Sequence, residues 1–335
     1  MNNKLILLLL SLCVLGLPSV AASKDEAPLY RTVDLGRAMG TGREYQTRIV
    51  FLGTGSPILE PNKAGQSIAI VVRDSVYVFD AGHGSMNNLS RYGDGKVFPP
   101  WKMPTGYPGA GYMDKLFLTH LDSDHVLDVP AFLLRFWIYG RQGPARVHGP
   151  PGTEALVRGV LEGNKQWIDY RLASTRTKNK AGITVETKEF SAPGPVFSDE
   201  HVRVSAFQVV HGSWDPGRTY GYRVETPDLV ISITGDYSYR LTPALEEKLA
   251  GSDIVISEVM SSAGTAKLPG EWRDYMLDAH TTETQLAALM AKVQPRLLIG
   301  THALTHGEAR SDLLLRLQAL YGGRIALADD NMVFR

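Results

Sequence analysis

The chain has 335 residues, 44% of them apolar and 21% charged, with 35 basic residues against 35 acidic ones. That balance supports an ordinary globular core and argues against a nucleic-acid binder, whose affinity rests on a basic surface. The single cysteine, Cys13, excludes an intramolecular disulfide and a thiolate metal site, so a metal here must be held by His and carboxylates.

Taken in chain order, the first element is a targeting segment. "MNNK" is a short positive start, "LILLLLSLCVLGLP" an apolar run, and "SVAA" a small-residue end, the pattern of a secretory signal peptide over residues 1–22. The apolar run falls short of the ~20 residues a membrane span needs. A periplasmic or secreted protein follows, with no membrane attachment after cleavage. Residues 23–46 read as an irregular lead-in, and residues 47–335 as one domain.

Within that domain "TRIVFLGTGSP" reads as a strand ending in a Gly-rich turn. "SIAIVVRDSVYVFDAG" reads as two strands with a turn at Arg73-Asp74. Residues 91–113, rich in Gly, Pro and aromatics, read as a long surface loop of the kind that serves as a lid or binding loop. "KLFLTHLDSDH" is a strand and turn, "VPAFLLRFWIYG" a helix, and Thr153 an N-cap for the helix after it. Further strands end at His211, Asp236, Glu258 and His302, with a helix capped by Thr242 before Glu258. A helix and terminal strands close the chain. A strand-rich first half and helix–strand alternation later predict two sheets with helices outside.

The chemistry gathers at strand ends. His120, His211, Asp236, His280 and His302 each follow a β-type run, where sheet proteins place binding groups. One such His is unremarkable, but "HLDSDH" adds His120, Asp122, Asp124 and His125 within six residues. That cluster can serve two adjacent metals, which lie ~3.5–4 Å apart in dinuclear hydrolases.

The motifs "FLGTGSP", "VFDAG", "THLDSDH", "VHGPPG", "VFSDEHVRVSAFQVVHG", "ITGDYS", "SDIVISEVM", "AHTTETQ" and "IGTHAL", in this order, resemble the metallo-β-lactamase fold superfamily in its ribonuclease Z-like branch. "VVHGSW" and "EWRDYMLDAHTT" further resemble secreted hydrolases of that fold, including a guanitoxin-biosynthesis type. The resemblance implies an α+β fold, a single-domain αββα sandwich, and two divalent metal ions, usually zinc. His120, Asp122 and His211 would hold one metal. Asp124, His125 and His302 would hold the other, with Asp236 bridging. His280 would be the general acid oriented by Glu258, and Asp124 counts with these two among the catalytic residues. Asp80 would hold the ligand loops. A metal-bound hydroxide would attack the substrate.

Two departures shape the expected function. The branch usually has His where Asp122 stands, so either Asp122 ligates and turns the first site toward harder ions such as manganese or iron, or that site is weakened and the centre holds effectively one metal. The long basic arm of tRNA-processing members is also missing; only "RLASTRTKNKAG" is basic, so the expected partner is a small-molecule substrate and not tRNA. A small phosphodiester leads. Carboxylic ester, lactone or β-lactam hydrolysis on the same site is the alternative, and a non-catalytic metal- or ligand-binding protein is the rival of another class. Relatives suggest a homodimer. His83 and His306 are candidates for supporting roles, and Trp214, Trp272 and Tyr275 for lining the cleft; His148 and His201 read as ordinary structural residues.

Overall fold

The computed structural model describes residues 29–100, 102, 109–174 and 179–335. The signal segment 1–22 lies outside the described residues, as do parts of the loop at 91–113 and of the basic segment after Ser174. Among the described residues fifteen strands form two sheets. In the first sheet are β1 (Arg31–Val33), β2 (Thr47–Gly53), β3 (Ser67–Val72), β4 (Ser75–Phe79), β5 (Lys115–Phe117), β6 (Ala145–Gly149) and β7 (Val185–Glu189). The second contains β8 (Gly194–Ser198), β9 (Arg203–Gln208), β10 (Tyr220–Glu225), β11 (Val230–Ile233), β12 (Ile254–Met260), β13 (Leu297–Leu304) and β14 (Ile325–Leu327). The last strand, β15 (Met332–Phe334), returns to the first sheet and sits between β1 and β2.

Hydrophobic alternation explains the layering. Along β2, Ile49 and Phe51 face Val204, Tyr222, Ile231 and Ile254 across the sandwich, while Val50 and Leu52 turn outward. The outward face is covered too, by Phe132, Leu133, Val157 and Val160 of the flanking helical segments. On the second sheet Val255 and Leu298 meet Leu286, Leu289 and Met290 of the helix Glu283–Val293 and Leu313 and Leu317 of Arg310–Leu320. Both strand faces are therefore buried, which is why the strands read as near-continuous apolar runs. The result is the four-layer αββα sandwich.

Three local readings are corrected. Residues 31–38 are not irregular: β1 pairs in parallel with β15 and a helical turn, Leu35–Ala38, follows it. Thr153 does not cap; Gly152 takes the N-cap position of Thr153–Gly163, and the Thr153 hydroxyl donates to the Pro150 carbonyl. Thr242 lies ahead of a shorter helix, Leu245–Leu249, and its hydroxyl accepts the Val210 N–H at 3.0 Å, tying the strand that leads to His211. The Thr153 hydroxyl takes a local carbonyl three residues back, and the Thr242 hydroxyl takes a backbone N–H from another strand's end. The Thr282 cap, by contrast, is a full capping box with Gln285.

Candidate metal centre

One rim of the sandwich collects the polar strand ends. The turn after β5 carries His120 and Asp122, and the short helix Ser123–Val126 that Asp122 initiates carries Asp124 and His125. Asp80, one residue past β4, organises this turn. One carboxylate oxygen accepts the Thr119 N–H at 2.8 Å; the other lies 2.8 Å from both the Thr119 hydroxyl and His125 Nδ1. The Thr119 hydroxyl is also 2.9 Å from His120 Nδ1, so both rings are gripped on their δ side and turn Nε2 inward. Gly82 completes the turn by absence of bulk: a Cβ there would stand 2.0 Å from the Asp124 carbonyl oxygen.

The second sheet supplies the remaining groups. The pairing of β12 with β13 shifts register so that His302 is the extra residue, with left-handed backbone at φ 45°. A bulge of this kind re-aims a side chain at a functional rim. His302 Nε2 then lies 2.9 Å from Asp124 Oδ2 and 3.3 Å from Asp236 Oδ2. His211 Nδ1 donates to the Ala279 carbonyl at 2.7 Å, leaving Nε2 for the centre.

Among the described residues three overlapping groups of metal-competent atoms result, each within 4.8 Å: His120, His211 and Asp236; Asp124, His125, Asp236 and His302; and Asp236, Glu258, His280 and His302. Asp236 belongs to all three. Asp122 stands at the edge: Oδ2 is 3.2 Å from His211 Nε2 and 3.4 Å from His120 Nε2, and the side chain is 37% exposed. Its Oδ1 accepts the Trp214 indole N–H at 3.1 Å. The Nε2 atoms of His120 and His125 are buried with no hydrogen-bond partner, and both face carboxylates across the centre. Buried imidazole nitrogens aimed at carboxylate oxygens are a donor set that fits divalent metal ions.

The electrostatics of the metal-free groups agree. Burial opposes charge on Asp124, yet His125 and His302 bring its pKa down to about 2. Asp236 and Asp122 are held below the usual carboxylate range against their burial, Asp236 by His302 and His125 and Asp122 by hydrogen bonds from His120 and His211. Burial pushes His211 down, but Asp122 and Asp236 raise it to about 9. Protons on imidazoles thus occupy the place that cations take, and metal binding must displace them.

Glu258 is used differently. Oε1 accepts the Tyr237 N–H at 2.7 Å and Oε2 lies 2.6 Å from His280 Nδ1. Both oxygens are engaged, one by the Tyr237 N–H and one by the His280 ring. Every ligand candidate from the sequence therefore comes to one rim. His306, with left-handed backbone, lies close enough to His280 to lower its own pKa, after burial. His148 instead stacks on Phe117 at 4.9 Å, away from the rim. Tyr275 lines the cleft over the centre and Trp272 stays 60% exposed beside it. Thr119 and the Trp214–Asp122 bond had no sequence signal, because neither follows a spacing rule.

A two-sheet sandwich with a His/Asp cluster of this order at one rim defines a class of metal-dependent hydrolases, and the comparisons agree. The beta-lactamase superfamily domain matches residues 77–303. The chain belongs to the metallo-β-lactamase fold superfamily, in its ribonuclease Z-like branch. It is 30% identical over 290 residues to the ribonuclease Z of Mycolicibacterium paratuberculosis, covering 84% of this chain and 95% of that protein. The ribonuclease Z of Mycobacterium marinum is 29% identical over 289 residues, covering 84% and 96%. Among solved structures, human tRNase Z, short form, superposes with a TM-score of 0.60 at 20% identity, covering 86% of this chain and 98% of that one. Zn(2+)-bound PqqB from Methylobacterium extorquens gives 0.60 at 14%, covering 86% and 99%.

Proposed function

We propose that this metallo-hydrolase is exported and cleaves a small phosphodiester, with His280 as general acid. The observation that carries the reading is the His280–Glu258 pair beside the centre, at 2.6 Å. Glu258 takes Nδ1 and fixes the ring, leaving Nε2 to hand a proton to a departing oxygen. An alkoxide leaving group needs that proton, and general acids of this kind contribute about 10²–10⁴ in rate.

Two divalent ions, when bound, supply Lewis acidity and an acidified water. His120, His211 and Asp122 would hold one ion and Asp124, His125 and His302 the other, with Asp236 shared. Trp214 fixes one oxygen of Asp122, so the other is presented to the two Nε2 atoms. Three carboxylates, Asp122, Asp124 and Asp236, then face the ions. This hard donor set favours manganese or iron relative to a site with His at 122, which would favour zinc.

Among the described residues the cleft over the centre, about 230 Å³, is lined by Asp122, His211, Gly212, Ser213, Trp214 and Tyr275, with no Lys or Arg. Gripping a nucleic-acid backbone draws on many cations, so this lining supports a small substrate, although the relatives are named for RNA processing. Export rests on residues 1–22 of the sequence.

The test is a panel of bis-p-nitrophenyl phosphate, p-nitrophenyl acetate, a lactone and nitrocefin, run with metal content measured on the same preparation. Phosphodiester turnover is expected. Turnover of the acetate or lactone alone removes the phosphodiester reading and favours carbonyl chemistry.

A further inference from the structure

A second charged site lies at the opposite pole, independent of the metal centre. β2 leads from the ligand loops at Gly53 back to Arg48, roughly 17 Å along the strand. Around that far end Arg43, Arg48, Arg73, Lys96 and Arg335 line one open cleft of about 920 Å³. The acids lining it are Asp34 and Glu44, and Asp74 acts on Arg48 from the adjoining turn. Asp34 is engaged elsewhere, capping the turn Leu35–Ala38 by accepting the Arg37 N–H at 2.9 Å. Among the described residues, none of the five cations forms an ion pair.

Their arrangement is built, not scattered. The antiparallel register of β15 on β2 pairs Phe334 with Ile49, so the residues that follow and precede them, Arg335 and Arg48, come near enough for their charges to oppose each other. Like charges opposed across neighbouring strands destabilise a sheet. The two guanidinium groups are tied to backbone carbonyls instead of carboxylates: Arg48 Nη2 donates to Arg73 O at 2.7 Å, and Arg335 Nη1 to Lys96 O at 3.4 Å. Such contacts fix where each charge sits without neutralising it. Arg48 Nε is buried and has no partner. Burial, and then Arg335, lowers the Arg48 pKa. Arg43 is held over the Tyr45 ring at 4.6 Å and donates to the Asp228 carbonyl at 3.0 Å.

We propose that this cleft binds a small polyanion carrying two or more phosphate groups. Guanidinium forks match phosphate oxygens in a planar, two-bond geometry. Several cations, none of them ion-paired among the described residues although Asp34, Glu44 and Asp74 stand nearby, match a ligand with more than one anionic group, whose binding removes the Arg48–Arg335 repulsion.

Calorimetric titration of the metal-loaded full chain with inorganic pyrophosphate at fixed ionic strength tests this. Two binding events are expected, one at the metal centre and one at the cleft. R48Q/R335Q should weaken one event at least tenfold and leave metal content and the other event unchanged. R73Q/K96Q, which alters only exposed side chains, should weaken the same event and covers the case in which the first variant folds poorly. R158Q/R203Q removes two exposed charges elsewhere and should change neither event. A single wild-type event that survives both cleft variants overturns the site. Equal weakening by R158Q/R203Q also overturns it, since net charge would then explain the binding.

Discussion

Trp214→Phe isolates the contact that holds Asp122, the proposed seventh ligand. The substitution keeps an apolar ring and removes the indole N–H that donates to Asp122 Oδ1 at 3.1 Å. A hydrogen bond to a charged group is worth about 1.5–3 kcal/mol. Asp122 is 37% exposed, so water replaces part of it, and a loss of roughly 1–1.5 kcal/mol remains. That is a five- to tenfold loss in affinity, by the rule that about 1.4 kcal/mol is tenfold. It agrees with the low end of the roughly 10–100-fold cost of removing partners behind metal ligands. The loss should fall on the ion held by His120 and His211 alone, because Asp124, His125 and His302 do not touch Trp214. Competition with a chromophoric chelator, read alongside metal content per chain, measures both affinities. Two unchanged affinities, or two that fall together, would refute Asp122 as a ligand positioned by Trp214.

Three further outcomes follow from the same geometry. Asp122→His should shift the bound metal toward zinc when protein is loaded from an equimolar zinc, manganese and iron mixture; an unchanged metal ratio counts against the donor-set argument. His280→Ala should lower turnover of the phosphodiester by about 10²–10⁴ with metal content intact, and unchanged turnover removes its proton-transfer role. In the metal-free protein, His211 has a folded pKa of about 9, raised from the ordinary 6.5. Its stabilisation is therefore fully present below 6.5 and is lost as pH rises through about 9. The Tm of metal-free protein should fall across that window while metal affinity rises, because the departing proton no longer competes with the ion; a flat Tm profile would contradict the His211–Asp122 coupling.

The centre was legible in the sequence to the extent that it follows strand periodicity. His120, His211, Asp236 and His302 could be located because each ends an apolar run, and the dense "HLDSDH" turn marked the largest contribution. Contacts made by tertiary approach alone carried no such mark. Trp214 and Asp122 are 92 residues apart, and a tryptophan near a strand end serves packing as readily as hydrogen bonding. The misread cap at Thr242 has the same cause, since its hydroxyl takes the Val210 N–H 32 residues away; at Thr153 the local Pro150 carbonyl claimed the hydroxyl. The basic cleft was invisible for a further reason. Its cations come from five separated points of the chain, and residues 31–38 looked unstructured because their strand partner is 301 residues away.

The place of β15 between β1 and β2 imposes an order on assembly. The sheet that carries the first half of the metal ligands stays open along one seam until residues 332–334 insert. Contacts spanning nearly the whole chain are slow to form, since loop closure precedes any reward for them. The lead-in strand, whose pairing is with β15, thus remains unanchored until the last residues of the chain are in place.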